Sequence, residues 1–273
     1  VMATSLPSLR GKVPTEATER TTTSEGYVDL RTLELRPHDP STGGTSIAPT
    51  TWVPGARQRL IGTLQATYPD RAKRRYVMSI LGQVLLGHPV TELTWLYGDG
   101  ACGKSTVANG LTAALGLTES GGYAVDGSEA LLASGYEGEV ARAGLAGARL
   151  VWIDETGRQH LDTAAIKKLV NRPRITVRLL GIGQGSIQAQ FSVFVATNNM
   201  PTSSDRGHGS ERRQRVIVHS QQFVEGNGPL SNGQKRADLR LKYHLADTYW
   251  REAFLDLAIW EAHKLLRAGL VSP

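Results

Sequence analysis

Leu93-Thr-Trp-Leu-Tyr97 runs directly into Gly98-Asp-Gly-Ala-Cys-Gly-Lys-Ser-Thr106, an apolar stretch that ends in a complete G-x-x-x-x-G-K-[ST] loop. From Ser105 to Leu115 the apolar residues Val107, Ala108, Leu111 and Leu115 fall three or four positions apart, the spacing of one helix face. Strand, glycine-rich loop and helix in that order are the setting in which such a loop cradles phosphate. The glycines let the chain curl so that backbone N–H groups converge, and the lysine meets the β/γ charge. The sequence therefore predicts an α/β core that binds a nucleoside triphosphate. Gly98, Asp99, Gly100, Ala101, Cys102, Gly103, Lys104, Ser105 and Thr106 enclose the phosphates, and the Ser105 hydroxyl ligates Mg²⁺.

Arg149-Leu-Val-Trp-Ile-Asp154-Glu155 has the form of a Walker B element, an apolar strand ending in two carboxylates. Asp154 at that edge holds the Mg²⁺ shell, while Glu155 orients and deprotonates an attacking water. A double acid points to a hydrolase more than to a kinase, which hands phosphate to a hydroxyl. Phe191 to Ala196 is another apolar strand, and it ends in Thr197-Asn198-Asn199. Asn198 beside the γ-phosphate orients water without competing for its proton, the sensor role in ring ATPases; a strand-terminating turn before Pro201 is the plainer alternative. Loop, acids and amide on three strand ends agree, because ligands of open α/β sheets collect at the strands' carboxyl ends. Glu211-Arg212-Arg213-Gln214-Arg215 precedes a last strand at Arg215 to Val218. An arginine here either reaches a neighbouring subunit's γ-phosphate or belongs to a solvated basic loop.

The 273 residues are 40% hydrophobic and 21% charged, enough for a sizeable core in one or two domains. No apolar stretch approaches the roughly 20 residues that span a bilayer, and the start lacks the pattern of a signal peptide, so a soluble chain of a reducing cytoplasm is expected. Cys102 is the sole cysteine, which leaves no disulfide framework and no cysteine-based zinc site. It is read as a small loop filler rather than a reactive thiol. The seven histidines form no i, i+4 pair, and each is read as a surface or packing residue. A net charge of +6 fits an anionic partner without naming it.

Residues 1–25 read as an irregular lead-in or a cut end, and Val1 is not expected to be a true start. Val28, Leu30, Leu33 and Leu35 predict two short strands about a turn. Helical spacing over Ala56 to Ala66 and Arg71 to Leu86 predicts a small helical collar within residues 26–90. Residues 91–273 form the ATPase core, with a mainly parallel sheet and a closing helix between Leu245 and Leu270 whose aromatics belong to the core.

These motifs, in this order, resemble those of superfamily-three helicases, specifically the helicase module of phage and plasmid primase-helicases related to the poxvirus primase-helicase. The resemblance begins at Gly26-Tyr-Val-Asp-Leu-Arg-Thr and Leu35-Arg-Pro-His-Asp-Pro40. It continues through the loop, Ala148 to Thr156, Ala196-Thr-Asn198 and Arg212-Arg213, and it ends at Leu266 to Pro273. It implies an AAA+ core in a homo-hexameric ring around single-stranded DNA, hydrolysing ATP with Mg²⁺ to unwind forked DNA with 3′ to 5′ polarity. Asn198 is then sensor 1 and Arg213, or else Arg212, the arginine finger. Lys167 to Gln190 is similar to a DNA-tracking hairpin with basic residues Lys167, Lys168, Arg172, Arg174 and Arg178 and a tip at Gly181 to Gly185. Two departures bear on it: Asn171-Arg172-Pro173 replaces a usual Gly-Gly-Asp, and Gln184 stands for a tip lysine. Val218-His219 stands where Pro-Phe is common. The resemblance also implies a primase region upstream and the cytoplasm of a bacterial host carrying a phage, plasmid or integrated element. An ATP-dependent origin or packaging factor that assembles on DNA without unwinding it is the alternative, and a small-molecule kinase is a third.

Overall fold

The computed structural model describes residues 19–39, 46–88, 92–154, 156–157, 160–170, 173–179, 181–203 and 211–270. Three short antiparallel strands come first, β1 (Arg20–Thr23), β2 (Gly26–Asp29) and β3 (Glu34–Arg36). The latter two answer the alternation from Val28 to Leu35. β1 arises inside the stretch expected to be irregular: β-branched threonines suit an extended chain, and Thr21 and Thr23 turn inward as β1 pairs with β2. A 3₁₀ turn at Ala56–Leu60 leads into α1 (Ile61–Thr67). α2 (Arg71–Leu86) is capped by Asp70, whose carboxylate accepts from the Lys73 amide at 2.6 Å, and it stops at Gly87 in the left-handed conformation.

β4 (Leu93–Tyr97) passes through the glycine-rich loop into α3 (Lys104–Leu115), followed by β5 (Ala124–Gly127), α4 (Gly135–Ala141), β6 (Leu150–Ile153), β7 (His160–Leu161) and α5 (Thr163–Leu169). A hairpin of β8 (Arg174–Leu179) and β9 (Gly183–Gln188) precedes β10 (Ser192–Thr197), β11 (Thr202–Ser203) and β12 (Gln214–Val218). β13 (Gln222–Val224), β14 (Gln234–Arg236), α6 (Leu239–His244) and α7 (Thr248–Arg267) complete the described chain.

Five strands form one wholly parallel sheet in the order β12, β4, β10, β6, β5. The strand leading to Asn198 thus lies between the loop strand and the acid strand. Both faces of the three central strands are buried, as a parallel sheet requires, while Val216 and Val218 of the edge strand β12 are exposed. Leu96, Leu150, Trp152, Phe194, Ala196 and Ile217 share a core with α2, α3 and α7. Leu93, Trp95, Val151, Ile153, Val193 and Val195 share another with α5, the 3₁₀ turn at Glu129–Leu132 and the hairpin residues Ile175 and Val177. The period-2 alternation along each strand sorts these side chains to the two faces.

α7 closes the first core through two glycines on its neighbours. A methyl on Gly110 of α3 would lie 2.2 Å from the Phe254 ring, and one on Gly82 of α2 would lie 2.5 Å from the Ala262 backbone. Buried Asp256 of α7 anchors the segment before α1, accepting from Trp52 Nε1 at 2.9 Å, Gly55 N at 3.1 Å, and Arg57 N and Nη1 at 3.0 and 2.9 Å. Not all the aromatics of this helix are core: Tyr249 is exposed, with the Arg59 guanidinium over its ring. No helix among the described residues is long and apolar enough to cross a membrane.

Candidate active site

The loop between β4 and α3 is supported from below by three backbone bonds. Gly98 N donates to Thr197 O at 3.3 Å, His219 N to Tyr97 O at 2.7 Å and Phe223 N to Ala101 O at 2.8 Å. A side chain at Gly98 would meet the His219 carbonyl at 2.5 Å, and Gly103, the N-cap of α3, holds φ +86°. Ala101 also sits in the left-handed region, at φ 56°, a conformation that costs a non-glycine residue of order 1 kcal/mol or more. The loop is therefore held in a shape that the chain would not adopt unaided.

Lys104 is buried. Its ammonium donates to Gly98 O, to Asp99 O at 2.8 Å and to the Asn198 side-chain oxygen at 2.8 Å. The Ser105 hydroxyl donates to Asp154 Oδ1 at 3.1 Å. Residues 100–106, Asp154 and residues 196–198 bound a pocket of about 250 Å³. Four of the side chains singled out in the sequence, Lys104, Ser105, Asp154 and Asn198, thus converge from the ends of three adjacent strands. Amide groups at the start of α3 and the lysine give the pocket positive potential, suited to phosphate. Ser105 and Asp154 offer paired hard-oxygen ligands of the kind Mg²⁺ takes. Cys102 is 3% exposed beneath Lys104, which fits the filler reading.

Glu155 and Arg172 lie outside the described residues. Thr156, next to Glu155, is fixed on both sides, its amide donating to Ala196 O at 3.2 Å and its hydroxyl to Glu129 at 3.2 Å. The arginine pair is not brought to this pocket. Arg213 O accepts from Leu93 N, and β12 runs parallel to β4, so Arg212 and Arg213 stand at the amino edge of the sheet. Five residues of strand, roughly 17 Å, separate them from the loop edge.

In the hairpin, Ile175 and Val177 point into the core, while Arg174, Thr176, Gln184, Ser186 and Gln188 are exposed on the other face. Cross-strand pairs set Arg174 against Gln188, Thr176 against Ser186 and Arg178 against Gln184. Gln184 therefore lies within β9 and not at the tip, which falls at Gly181 and Ile182, the latter 58% exposed. Arg178 is engaged from below, 3.6 Å from the Glu139 carboxylate and over the Tyr136 ring. Lys167 and Lys168 close α5, where Lys168 is exposed.

His219 supports the loop in a way that no motif signals. It is buried, and its Nδ1 lies 3.2 Å from Ile217 O, which only accepts; Nδ1 therefore carries the proton, and Nε2 accepts from the Tyr68 hydroxyl at 2.8 Å. Burial holds its pKa down to about 4, with Lys73 and Lys104 adding to the shift, and burial pushes the Tyr68 phenol up. The departure at Val218-His219 thus has a consequence: a neutral imidazole props the loop strand.

Comparison with known proteins places this arrangement. The profile of a family of unknown function (DUF5906) matches residues 96–213, the span from the loop to the arginine pair. The chain is 26% identical over 231 residues to "Putative helicase L207/L206" of Acanthamoeba polyphaga mimivirus, covering 78% of this chain and 23% of that one. Two apo structures of the NrS-1 C-terminal region superpose with TM-scores of 0.54 and 0.52 at 13% and 14% identity, each covering 79% of this chain and 49% or 50% of the other. At that identity the likeness is one of fold, an α/β P-loop core, and the chain spans half or less of each of these relatives.

Proposed function

We propose that the chain is the motor segment of an ATP-dependent DNA helicase, an AAA+ ATPase of the superfamily-three type. It works as a homo-hexamer on single-stranded DNA at forks, in the replication of a phage, plasmid or integrated element. The observation that carries this reading is the meeting of Lys104, Ser105, Asp154 and Asn198 in one pocket, with Arg212 and Arg213 at the opposite edge of the sheet. Lys104 neutralises the phosphates of ATP, and Asn198, whose side-chain oxygen already accepts from it, stands beside the same phosphates. Ser105 and Asp154 would hold Mg²⁺, which when bound offsets the charge on the phosphate oxygens. Glu155 takes the proton of the attacking water. An arginine some 17 Å of strand away from its own pocket serves a neighbour's, so hydrolysis requires a ring. Residues 26–90 form the collar ahead of the core, and the mimivirus relative, named as a putative helicase, supports a helicase role.

The test is a forked duplex with a labelled strand. Strand release that requires ATP and disappears in Glu155→Gln supports the motor, and Arg213→Ala should abolish hydrolysis in a ring that still assembles. Hydrolysis without strand release favours instead an origin or packaging factor, the reading favoured by the engagement of Arg178 with Glu139.

A further inference from the structure

Arg142, on the 3₁₀ turn that follows α4, is 1% exposed. Its Nη2 donates to Leu131 O at 3.0 Å and Ala133 O at 2.6 Å, and its Nε is buried with no hydrogen-bond partner. Gly138 makes room for it: a methyl there would sit 3.0 Å from Nη2. Among the described residues no carboxylate lies within ion-pairing distance, and Glu139 and Asp162 act on it only at longer range. Burial pulls its pKa below the ordinary value. A buried guanidinium without a counter-ion is costly, and a fold that retains one gains something from the charge.

The guanidinium lines a pocket of about 240 Å³ between α4, α5 and the hairpin, where Lys168 and Arg174 join it. Among the described residues, three cations there face one acid, Glu139, which is itself drawn towards Arg178. Thr176 and Gln184 add neutral hydrogen-bonding groups, and the pocket opens onto the exposed hairpin face, whose cross-strand pairs include no carboxylate. We propose that this pocket is a phosphate-group site, filled by one backbone phosphate of single-stranded DNA lying along the hairpin, with Arg142 as its fixed floor. The source of the phosphate rests on the helicase reading; the pocket itself does not. A guanidinium anchored by two carbonyls through Nη2 holds its Nη1 N–H groups in a fixed direction, suited to donate to a phosphate oxygen. This site also gives the hairpin a grip that requires no lysine at its tip.

The test is fluorescence anisotropy of labelled oligo-dT with the full chain across a salt series. Arg142→Gln should weaken binding about 5- to 10-fold at low salt and flatten the plot of log affinity against log salt by about 0.7, one phosphate contact on a single strand. Glu139→Gln, which removes the carboxylate that lines the pocket among the described residues, should tighten binding about 2- to 5-fold, a gain that damaged folding does not give. Hydrolysis without DNA stays at the wild-type rate in both. An unchanged slope in Arg142→Gln together with no gain in Glu139→Gln overturns the proposal. So does dispersal of the oligomer by Arg142→Gln with oligo-dT binding intact, which assigns the pocket to a carboxylate of a second copy. Calorimetry with inorganic phosphate separates the sources. A phosphate site lost in Arg142→Gln with oligo-dT affinity unmoved overturns the DNA assignment. If the wild-type chain binds no oligo-dT, the helicase reading fails, and the pocket then stands only if Arg142→Gln removes a site from the phosphate titration.

Discussion

The loop edge of the parallel sheet and the hairpin of β8 and β9 both present charged groups at a surface, by opposite means. At the loop edge every key group is already spoken for: Lys104 by two carbonyls and Asn198, Ser105 by Asp154, the loop backbone by Thr197, His219 and Phe223. The fold fixes these groups before any ligand arrives, which is what preorganised electrostatics demands. Among the described residues the hairpin strands pair only with each other and rest on the second core by Ile175 and Val177, leaving one face of amides, hydroxyls and Arg174 open. One region is built to hold a geometry; the other is built to be touched.

The sharpest way to break this contrast is Lys104→Ala. ATP hydrolysis, followed as phosphate release, should fall about 100- to 1,000-fold, while oligo-dT affinity without nucleotide stays within about twofold; a joint loss would mean that the two regions are one site. Next in size is a pH effect confined to the loop edge. His219 is held at about 4 against its ordinary 6.5, so below pH 6.5 the unfolded chain takes up a proton that the folded chain refuses. Its contribution is full above pH 6.5 and is lost as pH falls towards 4, about 3 kcal/mol in all. Denaturant unfolding from pH 7 to 4 should show that loss, and His219→Gln should flatten it.

Val177→Ala tests the other side. It should cost about 2 kcal/mol, read by hydrogen exchange as opening of β8 and β9 alone, with the amides of β4 and β10 unmoved. The smallest effect is expected at Arg174→Ala: a two- to threefold loss of oligo-dT affinity that vanishes at high salt.

The loop end was the more legible region, for a physical reason. A parallel strand buried on both faces reads as a continuous apolar run, so Leu93 to Tyr97, Leu150 to Ile153 and Ser192 to Thr197 announce themselves together with the polar groups that end them. His219 and Arg142 do not, because a buried polar residue is defined by its partners. Tyr68 is 151 positions from His219, and the carbonyls that hold Arg142 belong to a 3₁₀ turn without apolar period. The place of Gln184 depends on the hairpin's register, which glycine-rich strands specify weakly. That Arg212 and Arg213 lie just ahead of the edge strand, far from their own loop, follows from strand order, which no local pattern carries.

Cys102 gives this chain a built-in clock. It is the sole cysteine, and it lies 3% exposed under the ammonium of Lys104. A thiol reagent needs more of its surface than that, so the labelling rate should rise with the fraction of time the loop is lifted. Whatever steadies the loop slows the label, and whatever pries it open quickens it, with no probe added to the protein.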